Sequence, residues 1–133
     1  MNKEILYYNP KQKCVGVKRQ LPVGGRAKGL VQILMGEKPK MEWKEAKATL
    51  VEGDKFDLEI AYALCVLEIC AGSKRSRDKI LKAHYGELLN TPAGYKTALI
   101  STILNSSHMT YEGLKKHIRD ITSDKDWEVL SKM

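Results

Sequence analysis

From Leu58 to Ala71 the chain is apolar at every position except Glu59 and Glu68. A helix that is apolar almost all round has to be covered on most sides. The run falls short of the ~20 apolar residues a membrane span needs, so protein must cover it. The pattern predicts a buried central helix over about 55–71. Asp54 is placed to cap it, with Asp57 three residues on in the capping-box position, and Gly72 supplies a left-handed stop.

The N-terminal side has the period of strands. Ile5-Leu6-Tyr7-Tyr8 predicts one strand, and Asn9 to Lys13 a turn opened by Asn-Pro. The next run puts Val15, Val17, Arg19 and Leu21 on one face and Cys14, Gly16 and Lys18 on the other. Together they predict a hairpin. Met41 to Val51 reads as a further strand, with Ala46, Ala48 and Leu50 opposite Trp43, Glu45, Lys47 and Thr49. Trp43 is expected at the edge of the core, a stacking platform being the alternative. Between these strands lie a glycine-rich loop, Val23 to Gly29, and an apolar run, Leu30 to Met35. That run is too short for periodicity to decide between helix and strand.

Beyond Gly72 the period becomes helical. Ser73-Lys74-Arg75-Ser76-Arg77 reads as a cationic link, with Ser76 capping a helix over 77–89 whose stripe is Leu81, Tyr85 and Leu88/Leu89. Thr91-Pro92 opens another helix, with Tyr95, Leu99, Ile100, Ile103 and Leu104 facing inward. Thr110 caps the next, with Met109 and Leu114 as a hydrophobic staple. In it Leu114, Ile118 and Ile121 face the core, while Lys115, His117 and Arg119 point elsewhere. Ser123 caps a last short helix anchored by Trp127. A β-rich half, 1–53, followed by a helical half, 54–133, makes one α+β domain spanning 1–133.

Composition sharpens this picture at two points. The net charge of +7 is uneven: +6 over 1–53, −3 over 54–72 and +4 over 73–133. A basic excess on both sides of an acidic-flanked helix suits a polyanionic partner and also serves solubility. The three cysteines are odd in number, and Cys65 and Cys70 fall on the central helix, where both are expected to be buried. That usage fits reduced thiols in a cytoplasmic setting. No secretory leader is read at the N-terminus, and no membrane association is expected. The histidines His84, His108 and His117 do not pair with cysteines at zinc spacing, so neither a metal nor a cofactor is expected.

The stretch Ala48 to Ala63 resembles a segment of small phage and prophage proteins. In those, a strand ending Ala-x-Cys-His-Pro-x-Asp continues Glu-Phe-Asp-x-x-x-Gly into an apolar helix. Ala48, Asp54, Phe56 and Asp57 match. Leu50-Val51-Glu52 stand in place of Cys-His-Pro, and Ala61 in place of the glycine. The resemblance implies a phage or mobile-element origin, hence a host-cell cytoplasm, and implies no activity.

No nucleophile elbow or acid/base pair is legible, and capping explains Asp54 and Asp57. The expectation is therefore a non-enzymatic binding protein without catalytic residues, engaging nucleic acid or a nucleic-acid-bound complex. The alternative is a counter-defence inhibitor or sponge acting stoichiometrically on a host protein or a nucleotide signal; a homodimer is also open. Two surfaces can meet an anion. One combines Gly24, Gly25, Arg26 and Lys28 with Lys74, Arg75 and Arg77, because glycine loops and helix N-termini aim N–H groups outward. The other is Lys115, Lys116 and Arg119, on the second helix of a pair over 90–121 that loosely resembles a helix-turn-helix.

Overall fold

The computed structural model describes residues 4–24, 26–38, 40–49 and 56–133. Asp54, Gly25 and Leu50 therefore lie outside the described residues. The fold is α+β. Strands β1 (Glu4–Asn9), β2 (Cys14–Pro22) and β3 (Met41–Thr49) form an antiparallel sheet in the order β1-β2-β3. Helix α1 (Arg26–Leu34) interrupts the β2–β3 connection. Helices α2 (Leu58–Ala71), α3 (Lys74–Tyr85), α4 (Pro92–Ser107), α5 (Tyr111–Asp120) and α6 (Asp124–Leu130) follow, with a 3-10 turn over Gly86–Asn90 between α3 and α4.

The predicted central helix is the middle layer. One side of α2 packs on β2 and β3, and the other sides meet α4, α3 and α5. This sandwiching explains why α2 has no polar face. Leu6, Val15, Val17 and Ala46 from the sheet join Ala61, Tyr62, Cys65 and Val66 of α2 in the core, with Leu99 and Ile103 of α4 and Leu114 and Ile118 of α5. Each fully buried Leu or Ile contributes about 1.5–3 kcal/mol over its exposed state. The edge of β1 is covered: Leu6 N–H donates to Ile121 O at 3.0 Å, and Tyr8 N–H to Asp126 Oδ2 at 3.3 Å. This pairing blunts a strand edge that would otherwise invite association.

Several local expectations change. The cap of α2 is Asp57, whose carboxylate accepts from the N–H groups of Glu59 and Ile60, so the helix begins at Leu58. Gly72 ends it in the left-handed region at φ 93°. The supposed link after it is helical: Ser73, not Ser76, caps α3, and Ser76 N–H donates to its hydroxyl. That helix stops at Tyr85, leaving Leu88 exposed. Leu30 to Met35 turns out mostly helical, as the end of α1 and the turn after it. Trp43 is 47% exposed on the outer sheet face, not part of the core. Cys70 is exposed where α2 lines an opening beside the sheet, while Cys14 and Cys65 are buried.

Gly16 shows why the outer face of β2 is buried at that position. It pairs directly with Tyr7, whose ring lies over it; a Cβ there would sit 2.2 Å from Tyr7 Cζ. The aromatic ring replaces the missing side chain.

Candidate binding cleft

The register of the sheet builds the site. Inner-face rows run Tyr8–Val15–Ala48, then Leu6–Val17–Ala46, and both are apolar. The next row is Glu4–Arg19–Lys44, followed by Leu21–Glu42. The sheet thus changes from apolar to charged on the same face. At this end it parts from α2, α4 and α5, leaving a cleft of about 860 Å³. Its floor is the charged row; Val66, Leu67 and Ile69 of α2 and Ile103 of α4 make an apolar wall, and Thr102, Ser106 and Ser107 add hydroxyls.

His117 reaches the same end from α5. Its Nε2 is 2.8 Å from Glu4 Oε2, and the Glu4 side chain is only 9% exposed. Burial by itself would push the Glu4 carboxyl up. The hydrogen bond from His117, the nearby Tyr62 hydroxyl and the charge of Arg19 outweigh burial and hold it below its ordinary value. The bond to Glu4 in turn raises His117 above the ordinary imidazole value, against the opposing effect of burial. Burial first, and then Glu4, push the Tyr62 hydroxyl up. Arg19 Nη1 lies 3.5 Å from Cys70 Sγ, and Lys44 Nζ lies 3.3 Å from Glu42 on the rim. The cleft therefore presents a charged, hydrogen-bonding floor beside an apolar wall, the usual make-up of a small-ligand site.

The sequence-predicted anion residues are not gathered here. Gly24 lines the cleft at φ 85°. Arg26 is the first residue of α1 and Lys28 lies in its first turn, so the glycine loop is shorter than expected. Lys74 and Arg75 are exposed in the first turn of α3. Arg77 is committed to the fold: its guanidinium donates to Leu64 O at 3.3 Å and to Asp78 at 2.9 Å, and it sits 4.0 Å from Glu68.

Lys115, Lys116 and Arg119 line a second groove, of about 610 Å³, with Phe56, Lys96 and Trp127. There Lys115 lies 3.8 Å from Glu112 and over the Tyr111 ring. Arg119 is bound to Asp124 at 2.6 Å and stacks on Trp127 at 5.2 Å. Acids and aromatic rings of the same chain thus engage two of these cations.

As site residues the sequence reading missed Glu4, Arg19, Lys44 and His117, although it placed Arg19 on the face of Val15 and Val17. The alternation through Leu6, carried back two residues, puts Glu4 on the core face, and that signal was present. Nothing local links Glu4 to His117, which lies 113 residues away. Among the described residues no group of three or more His, Cys, Asp or Glu side chains is placed to hold a metal. None of the described helices is long and apolar enough to cross a membrane. No protein-family model matches this chain, no curated protein matches it, and no solved structure does.

Proposed function

We propose that this chain is a non-enzymatic binding protein that takes a phosphate-bearing nucleotide moiety into the cleft. The charged row Glu4–Arg19–Lys44, opening beside an apolar wall, carries this reading. Arg19 and Lys44 suit phosphate oxygens, the apolar wall suits a base, and Glu4 with His117 supplies further hydrogen-bonding groups. A volume near 860 Å³ lies within the small-ligand range of about 300–1,000 Å³. The moiety is either a free nucleotide, held as by a sponge for a nucleotide signal, or part of a nucleic acid whose backbone meets the wider basic surface. A phage or mobile-element setting in a host cytoplasm accords with either source.

The test is calorimetric titration with mononucleotides, cyclic dinucleotides, single-stranded RNA and duplex DNA at several salt concentrations. Arg19→Ala and Lys44→Ala are expected to weaken binding at least about tenfold, with the ligand recovered unchanged. A nucleic acid neutralising several phosphates shows a steep fall of log affinity with log salt, about 0.9 per phosphate for duplex DNA; a pocketed mononucleotide responds less. Binding that survives both cleft variants but is lost in Lys115→Ala/Lys116→Ala/Arg119→Ala moves the site to the second groove. Turnover of any ligand overturns the non-enzymatic reading.

A further inference from the structure

A carboxylate on the floor of an anion site repels the ligand the site would take. Glu4 is such a group. It stands directly opposite Arg19 in the register, with Lys44 next in the row. Its Oε2 is 2.8 Å from His117 Nε2, while its Oε1 is buried and accepts no hydrogen bond among the described residues. A buried charge is costly unless it is paired, and His117 is the one partner here whose charge changes near neutral pH. Apart from His117, the described residues lining the cleft bring two cations, Arg19 and Lys44, against two carboxylates, Glu4 and Glu42. These cancel. A charged His117 makes the floor net positive; a neutral one leaves Glu4 facing an incoming phosphate.

We propose, resting on the reading of the cleft as a phosphate site, that the anionic ligand binds together with a proton on His117, so that pH regulates the site. Every neighbouring element takes part in the balance. The hydrogen bond to Glu4 of β1 does most to favour the charged imidazole; burial and Arg19 of β2 oppose it, and Asp120 of α5 adds to Glu4. From α2 the Tyr62 ring meets the imidazole edge-on at 6.0 Å, and Cys70 lies against Arg19. Lys44 and Glu42 of β3 bind each other at 3.3 Å further along the floor, and α4 brings hydroxyls. A phosphate on this floor acts on His117 in the same direction as Glu4 and Asp120. It therefore raises the imidazole further, and the protonated protein binds it more tightly by the same factor.

Two measurements on the full chain test this. One is the affinity for a cyclic dinucleotide and for a short single-stranded RNA, by calorimetry, from the acid to the alkaline side of neutral. Both probes are phosphodiesters, whose own charge does not titrate in that range. The other is the NMR titration of the His117 ring with and without each probe, with the exposed His84 and His108 as internal references. Affinity is expected to fall about tenfold as pH rises through the folded value of His117, and bound probe to raise that value by about one pH unit. His117→Gln is expected to show the parent's high-pH affinity at every pH. Glu4→Gln removes the charge that His117 cancels, so it is expected to keep the parent's low-pH affinity at high pH. A probe bound equally well at every pH, or a His117 midpoint that the probe leaves unmoved, overturns the proton coupling and leaves the phosphate site standing. A Glu4→Gln variant that binds more weakly than the parent at high pH also overturns it, because Glu4 would then be a ligand contact. Binding of neither probe at any pH overturns the coupling and the phosphate site together.

Discussion

Replacing Glu4 by Gln keeps the shape of the residue and removes its charge. The carboxylate lies at the buried end of the cleft, 2.8 Å from His117 Nε2 and beside Tyr62 and Arg19. A hydrogen bond to a charged group is worth about 1.5–3 kcal/mol net. His117 remains one-third exposed, so water screens part of that, and about 1–2 kcal/mol is the expected loss near pH 5.5. For a domain of this size that is a fall in Tm of roughly 3–8 °C.

The pH dependence carries the sharper test. His117 is raised in the folded state, so its contribution is complete below the ordinary imidazole value of 6.5 and is lost as pH rises through the folded value. Glu4 is lowered, so its contribution is complete above the ordinary carboxyl value of 4.5 and is lost as pH falls through the folded value. The pair stabilises most between those two ordinary values. Thermal melts of the parent, Glu4→Gln, His117→Gln and the double variant, taken across pH, give the coupling directly. The parent–variant gap should be largest between the two ordinary values and shrink as pH rises through the raised folded value of His117. A gap that is absent, or that is the same at both ends, refutes the assignment of this pair.

Three further outcomes follow from the packing. In native protein a thiol reagent should modify Cys70 at once and Cys14 and Cys65 only on unfolding, because Cys70 is exposed and burial pushes the Cys65 thiol up to about 12; fast labelling of Cys65 would contradict its place in the core. Leu64→Ala should cost about 1–3 kcal/mol by denaturant titration, below the ~2–5 of a fully buried leucine, since Leu64 packs against the core while half-buried; an unchanged midpoint would mean that α2 is not the middle layer. Gly16→Ala should lower Tm and release the Tyr7 hydroxyl from Glu45, now at 2.8 Å, so a variant as stable as the parent would show that the Tyr7 ring is not needed where it lies.

Local chemistry alone determined a good deal of this protein. The α+β order, the central helix with its stop at Gly72, the caps at Thr91, Thr110 and Ser123, and the sharing of one face by Val15, Val17 and Arg19 are all legible in the chain. Each rests on contacts within a few residues: a cap hydroxyl, a left-handed glycine, a period of two. Tertiary structure decided what those elements face. Arg77 looked like a free cation and is spent on the Leu64 carbonyl, because the first turn of α3 folds back on α2. Trp43 looked like core and is exposed, because the helices cover the other face of the sheet. Asp57 caps α2, a role that two carboxylates three residues apart leave open in the sequence. The cleft itself lay beyond reach of the sequence, because it exists only where the Glu4–Arg19–Lys44 row runs past the helices and meets His117. Side-chain period assigns a residue to a face, but only the way the layers stack determines whether that face ends against protein or open space.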